Sequence, residues 1–241
     1  MMNVTFWYEA TQEREPGENG VLRAYPQGLA AAVAEAFAGE PDVNFRAVTF
    51  HDPENGLPEE ILENTDVLLW WAHVNHGDVP DDLARRVQQR VLRGMGLIVL
   101  HSGHDSKPMK LLLGTSCALK WRDDDRERLW TVLPGHPIAK GLPEYFELPL
   151  EEMYGEPFDI PTPDEVVFIG WFAGGEVFRA GCTWQRGRGR MFYFQPGHEA
   201  YPIYKDENIR QVLRNAVRWA APSEIGPAPF CPNSPPPEAG H

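Results

Sequence analysis

Five of the eight histidines follow three short apolar or aromatic runs. His73 and His76 follow Val67 to Trp71, His101 and His104 follow Gly96 to Leu100, and His198, with Glu199 beside it, follows Arg190 to Gln195. Neutral imidazole is a common ligand for transition metals, and a catalytic metal site typically uses three protein ligands and one open position. If the three runs are neighbouring parallel strands, their carboxyl ends open onto one crevice, where imidazoles from separate segments meet. Glu199 can then orient a ring or, when desolvated, act as a general base. Each feature also has a plainer reading. One histidine of a pair can cap or pack a turn, His73 and His76 can form a hydrogen-bonded surface pair, and a loop glutamate is usually solvated.

Other residues add to the candidate chemistry. The segment VLHSGHDS reads as a strand-to-helix turn, with Asp105 or Ser106 able to cap the helix that follows, and such a turn in α/β enzymes exposes a nucleophile or ligand. Here it carries His101 and Ser102. Glu151, Glu152, Tyr154 and Glu156 form an acidic and aromatic cluster, suited to sugar hydroxyls and to the C–H faces of sugar rings. Lys107, Lys110, Lys120 and Arg122 are cations that fit an anionic intermediate, or pair with Asp123 to Asp125 at the surface. Cys117 has no sequence neighbour that would lower its pKa and reads as structural.

The elements that must position these groups alternate along the first half of the chain. Strands are expected over Asn3 to Trp7, Asn44 to Phe50, Val67 to Trp71 and Gly96 to Leu100. Helices are expected over Tyr25 to Ala38, Pro58 to Leu62 and from Pro80 to Gly94. Near-continuous apolar strands alternating with helices mark a doubly wound, mostly parallel sheet in an α/β fold. Beyond Lys107 the pattern weakens. It reads as a helix over Met109 to Leu113, a polar insertion around WRDDDRERLW, and a hairpin of Val166 to Phe172 and Glu176 to Trp184. A strand over Arg190 to Gln195 and a closing helix over Ile209 to Ala220 follow. Residues 1–221 make one domain, and the proline-rich residues 222–241 an extended or disordered tail.

Composition excludes several classes of function. The net charge of −13 repels phosphodiester backbones and anionic membrane surfaces, so nucleic acid and membrane partners are not expected. No window reaches the roughly 18 apolar residues of a membrane span, and the N-terminus lacks a basic segment followed by an apolar one. Three widely spaced cysteines read as reduced thiols of a cytoplasmic protein. Eight tryptophans and seven tyrosines can stack on sugars or cover a subunit interface in a homo-oligomer.

The motifs LHSGHDSK, LLGTSCALKWR, GHPIAKG, EEMYGEPFDIP and FYFQPGHEAYP, taken in order, resemble the ThuA-like family, named for trehalose utilisation. The resemblance runs from about Asn3 to Ala221. It implies a flavodoxin-like, class I glutamine amidotransferase-like three-layer sandwich. In an amidotransferase the strand-to-helix elbow reads Gly-x-Cys-x-Gly, whereas here it is Val99-Leu100-His101-Ser102-Gly103. His198 and Glu199 are similar to the amidotransferase histidine and glutamate, yet the absent thiol argues against cysteine-dependent glutamine hydrolysis. The substrate implied is a carbohydrate: a disaccharide, its 3-keto form, or a keto-sugar. The resulting expectation is a metal-assisted hydrolase or isomerase. A divalent transition metal, zinc first and manganese second, is held by His73, His101, His104 and His198. Glu199, Glu152 and His76 are the catalytic residues, and Ser102, Lys107, Trp121, Arg122 and Tyr154 bind substrate. The alternative is a non-catalytic sugar-binding or regulatory module whose imidazoles only hydrogen-bond hydroxyls.

Overall fold

A computed structural model describes residues 1–15 and 20–227. Nine strands form one sheet in the order β2-β1-β3-β4-β9-β8-β7-β5-β6. β1 (Met2–Tyr8), β2 (Val43–Thr49), β3 (Val67–Trp71), β4 (Gly96–Leu100) and β9 (Gly189–Phe194) run parallel to one another. Every residue of β3 and β4 is buried, as expected for strands covered on both faces. Trp7 of β1 stacks on Trp70 of β3 with ring centroids 3.8 Å apart. Helices Asp81–Arg93 and Glu207–Ala220 pack against this half through Leu83, Val87 and Val91, and through Ile209, Val212 and Ala216.

The second half of the sheet is antiparallel: β8 (Val177–Arg186), β7 (Glu165–Phe172), β5 (Lys120–Thr131) and the edge strand β6 (Tyr145–Gly155). The expected hairpin is β7 and β8. The segment around WRDDDRERLW, expected as a polar insertion, is instead most of the 12-residue strand β5. Its period of two is present, because Asp125, Glu127, Leu129 and Thr131 are buried while Arg126, Arg128 and Trp130 are not. Charged residues at two inward positions conceal that period from a hydrophobicity reading. The sheet curls so that the end of β6 meets the loop after β9: Gln195 Nε2 donates to Glu152 O at 3.0 Å, and Gly197 N–H to Glu151 Oε2 at 2.8 Å.

Two further segments differ from the sequence reading. The helix expected over Tyr25 to Ala38 begins only at Leu29, after Pro26 and the left-handed Gly28 (φ 88°), and tightens into a 3-10 turn over Glu35–Phe37. In the tail, Gly226 N–H donates to Arg93 O at 2.9 Å, so its first residues lie against the helix Asp81–Arg93. Residues 228–241, including Cys231 and most of the tail expected to be disordered, lie outside the described residues.

Candidate active site

Strand register brings the histidines together. Trp71 of β3 is aligned with Leu100 of β4, and Leu100 with Phe194 of β9, so the three strand exits lie side by side. His73, His101 and His198 follow those exits at once or within four residues. Their ring centroids are 6.0 Å (His73 to His101), 5.3 Å (His73 to His198) and 5.4 Å (His101 to His198) apart.

The turn after β4 is constrained at two residues. His101 adopts a left-handed conformation (φ 51°), which non-glycine residues seldom occupy. A Cβ at Gly103 would stand 2.9 Å from Val99 Cγ1 and 3.1 Å from Trp70 O, so only glycine lets the turn pass this close to β3 and β4. Ser106 closes the turn by accepting Met109 N–H at 3.4 Å, capping the helix Lys107–Leu113.

Carboxylates surround the three rings. His73 Nδ1 lies 2.9 Å from Glu199 Oε1 and 3.1 Å from Gln12 Nε2, so among the described residues the hydrogen bonds of this ring fall on Nδ1 and not on Nε2. His101 is fully buried; its Nδ1 donates to Gln195 O at 3.0 Å, and its Nε2 lies 3.0 Å from Glu152 Oε2. A carbonyl only accepts, so the Nδ1 proton is fixed and the contact with Glu152 needs a second proton. Burial pushes His101 down, but the adjacent Glu152 carboxylate overrides it and lifts the ring to about 9. Burial would raise Glu199, but the hydrogen bond and charge of His73 hold it at about 2. Burial, reinforced by the charge of His101, depresses His198 to about 4 and keeps it neutral. Burial likewise raises Glu151 to about 7 against the opposing charge of His101.

The sequence profile of ThuA, described as trehalose utilisation, matches residues 4–220. The chain belongs to the ThuA family. Among solved structures it is similar to a ThuA-like protein from Parabacteroides merdae, with 13% identity over 93% of this chain and 91% of that one and a TM-score of 0.65. It is also similar to a ThuA-like protein from Bacteroides uniformis, with 19% identity over 91% of each chain and a TM-score of 0.63. A glutamine amidotransferase from Thermotoga maritima shares the fold at 10% identity, over 90% of this chain and 96% of that one, with a TM-score of 0.51. No curated protein sequence matches the chain. The fold is thus the amidotransferase-like α/β sandwich expected from the motifs, with His101 in the turn that follows β4.

In this ThuA-family chain a cavity of about 330 Å³ opens beside the rings, and His73, His76, Ser102, His104, Trp121, Glu152 and Tyr154 all line it. One potential ligating atom from each of His73, Glu152 and His198 lies within 4.8 Å of the others. Of the four histidines expected to ligate, the structure groups His73 and His198 with Glu152. Both nitrogens of His101 are engaged, and His104 Nδ1 is held by Cys117 O at 2.7 Å with its ring against Tyr154. The donor set itself fits a divalent transition metal, since two imidazoles and a carboxylate are the ligand types of such sites, and Glu152 reaches the group while its Oε2 also faces His101 Nε2 at 3.0 Å. His198 Nδ1 accepts Ala200 N–H at 3.1 Å. Ligation through Nε2 would put the ring proton on Nδ1 and cost that bond, about 1 kcal/mol.

The remaining expected residues divide. Ser102 lines the cavity while its Oγ donates to Ala72 O at 2.6 Å, and Trp121 stands 61% exposed at the rim. His76 lines the cavity too, and its buried Nδ1 has no partner among the described residues. Lys107 and Arg122 are placed elsewhere: Lys107 Nζ bonds Asp81 and Val79 O, each at 2.7 Å, and Arg122 is clamped by Asp125 and Glu176. Sequence reasoning missed Glu9 altogether and gave Glu151 no role of its own. A carboxylate ending an apolar strand, as in WYEA, is the one signal that would have pointed to Glu9.

Proposed function

We propose that this ThuA-family protein, whose family places it in sugar utilisation, is a metal-assisted hydrolase or isomerase acting on a disaccharide, its 3-keto form, or a keto-sugar. The observation that carries the reading is the grouping of His73, Glu152 and His198, the first two of which line a cavity large enough for a small ligand, near the lower end of the about 300–1,000 Å³ usual for such sites. A divalent cation bound there, with zinc the first expectation and manganese the second, would supply Lewis-acid polarisation of a carbonyl or activation of water.

The chain's own residues supply the rest. Glu199 orients His73 and holds its proton on Nδ1. His101 supports Glu152 from below. His76, with a free buried nitrogen at the cavity wall, accepts or returns a proton at the substrate. Trp121 offers a flat apolar face to a sugar ring at the rim, and Tyr154 and Ser102 line the wall within reach of hydroxyls. Two buried, free cysteines, Cys117 and Cys182, accord with a cytoplasmic location. Among the described residues no helix is long and apolar enough to cross a membrane.

Metal content and turnover test the reading together. Stoichiometric metal in the purified protein, lost in His73→Ala/His198→Ala along with turnover of a 3-keto-disaccharide, is the expected result. One observation favours a second reading, a binding module without catalysis. The Ala200 hydrogen bond leaves the neutral His198 ring with its proton on Nε2, a donor suited to a sugar oxygen. Metal-free protein that binds a disaccharide and never turns it over would establish that module and overturn the enzyme.

A further inference from the structure

Two buried carboxylates outside the proposed ligand set each hold the backbone of one histidine loop. Glu9, fully buried one residue beyond β1, accepts Val74 N–H with both oxygens at 2.9 and 3.0 Å, and Asn75 N–H with Oε2 at 3.0 Å. Glu151, fully buried on β6, accepts Gly197 N–H at 2.8 Å and His198 N–H at 3.3 Å, together with Glu152 N–H at 2.8 Å. The first set of amides directly follows His73, and the second includes His198 itself. The carboxylates come from different halves of the sheet, yet they do the same thing to the two loops.

A carboxyl group that accepts from two or three amides at once ties consecutive residues of a loop to one fixed point, each bond worth about 1 kcal/mol. Both loops leave the sheet at the point where regular pairing ends, so strand register alone does not set the distance between their rings. A ligand set must hold its donor atoms to within about 0.5 Å, and groups behind the ligands usually provide that.

We propose that Glu9 and Glu151 are positioning residues, which fix the His73 and His198 loops at the separation at which both rings and Glu152 bind one divalent cation. This inference rests on the metal-site reading above and names the groups that build that site. The competing account is that each carboxylate merely satisfies buried amides and contributes to folding alone.

Glu9→Gln and Glu151→Gln in the full-length protein test it, with Co²⁺ and Zn²⁺ alone as probes. Gln keeps the shape but turns one of the two accepting oxygens into an NH₂ donor, which cannot accept an amide N–H. Each variant is expected to bind Co²⁺ about 10–100-fold more weakly, with an altered visible Co²⁺ spectrum, and to show faster exchange of its own amides, Val74 and Asn75 or Gly197 and His198. Glu127→Gln, which removes a buried carboxyl whose oxygens make no hydrogen bond to either loop among the described residues, is the control and should bind Co²⁺ as the wild type does. If a Gln variant does not fold, the Asp variant, which keeps both oxygens and shortens the reach, replaces it. Folded variants with wild-type affinity and spectrum overturn the inference while leaving the metal site standing. A wild-type protein that takes up neither ion overturns the metal site, and the inference with it.

Discussion

The parallel and antiparallel halves of the sheet contribute opposite things. β3 and β4 are apolar throughout, buried on every residue, and end in imidazoles. The antiparallel half buries carboxyl groups, Asp125, Glu127, Glu151 and Glu152, and exposes large apolar side chains such as Trp121 at 61% and Val177 at 51%. A parallel strand buried on both faces can place function only at its end, where register aligns it with its neighbours' ends. An antiparallel strand alternates, so its inward positions are open to function along its length. The candidate site is where these two ways of placing a residue meet: histidines from beyond the ends of parallel strands, and Glu152 from a buried position within β6, near its end.

The largest expected effect removes what the parallel half brings to the site. His73→Ala/His198→Ala should abolish stoichiometric metal binding, exceeding the roughly 10–100-fold loss typical of an outer-shell change, and equilibrium dialysis against Zn²⁺ reads it directly. Retained stoichiometric metal would break the pairing of the two halves at this site. Next, Leu69→Ala in the fully buried β3 should cost about 2–5 kcal/mol, read from the urea midpoint at unchanged slope. A cost below about 1 kcal/mol would mean that the parallel half is not the stable frame.

Glu127 sharpens the contrast through pH. Both its oxygens are buried without a partner among the described residues, and burial, aided by the charges of Glu151 and Asp125, raises its pKa well above the ordinary 4.5. A carboxyl with a raised folded pKa keeps its proton on folding, so its cost is small below about 4.5 and grows as pH rises toward the folded value. Glu127→Gln should therefore gain on the wild type in thermal midpoint as pH goes from about 5 to 8, a relative gain worth on the order of 1–3 kcal/mol. A pH-independent difference would show that this carboxyl is ionised in the folded state. The smallest effect belongs to the exposed surface: Val177→Ala should change stability by under about 0.5 kcal/mol by chemical denaturation. A larger loss would point to packing on that face.

Much of the parallel half is legible in the sequence, because a fully buried strand is simply an apolar run and its exit residues are those that follow. The elbow glycine, the paired histidines and His198 were all accessible in this way. The antiparallel half was less so. β5 carries Asp125 and Glu127 at inward positions, and β6 has adjoining buried acids at Glu151 and Glu152, so hydrophobic periodicity reports a polar insertion where there is a strand. Lys107 looked available because its partner Asp81 is 26 residues away in the chain, whereas Arg122 takes both Asp125, within the surface pairing the sequence offered, and Glu176, 54 residues away.

By itself the sequence determined the strand exits on which the histidines lie, the family, and an elbow without a thiol, because these depend on residue type and local order along the chain. Only the tertiary structure decided that Glu152 joins His73 and His198, that His101 is held between Gln195 and Glu152 and His104 Nδ1 by Cys117, and that Glu9 and Glu151 hold the loops. Those contacts depend on how the sheet curls and how loops settle between strands, and a carboxylate's partner is chosen by distance in space, which no spacing along the chain encodes.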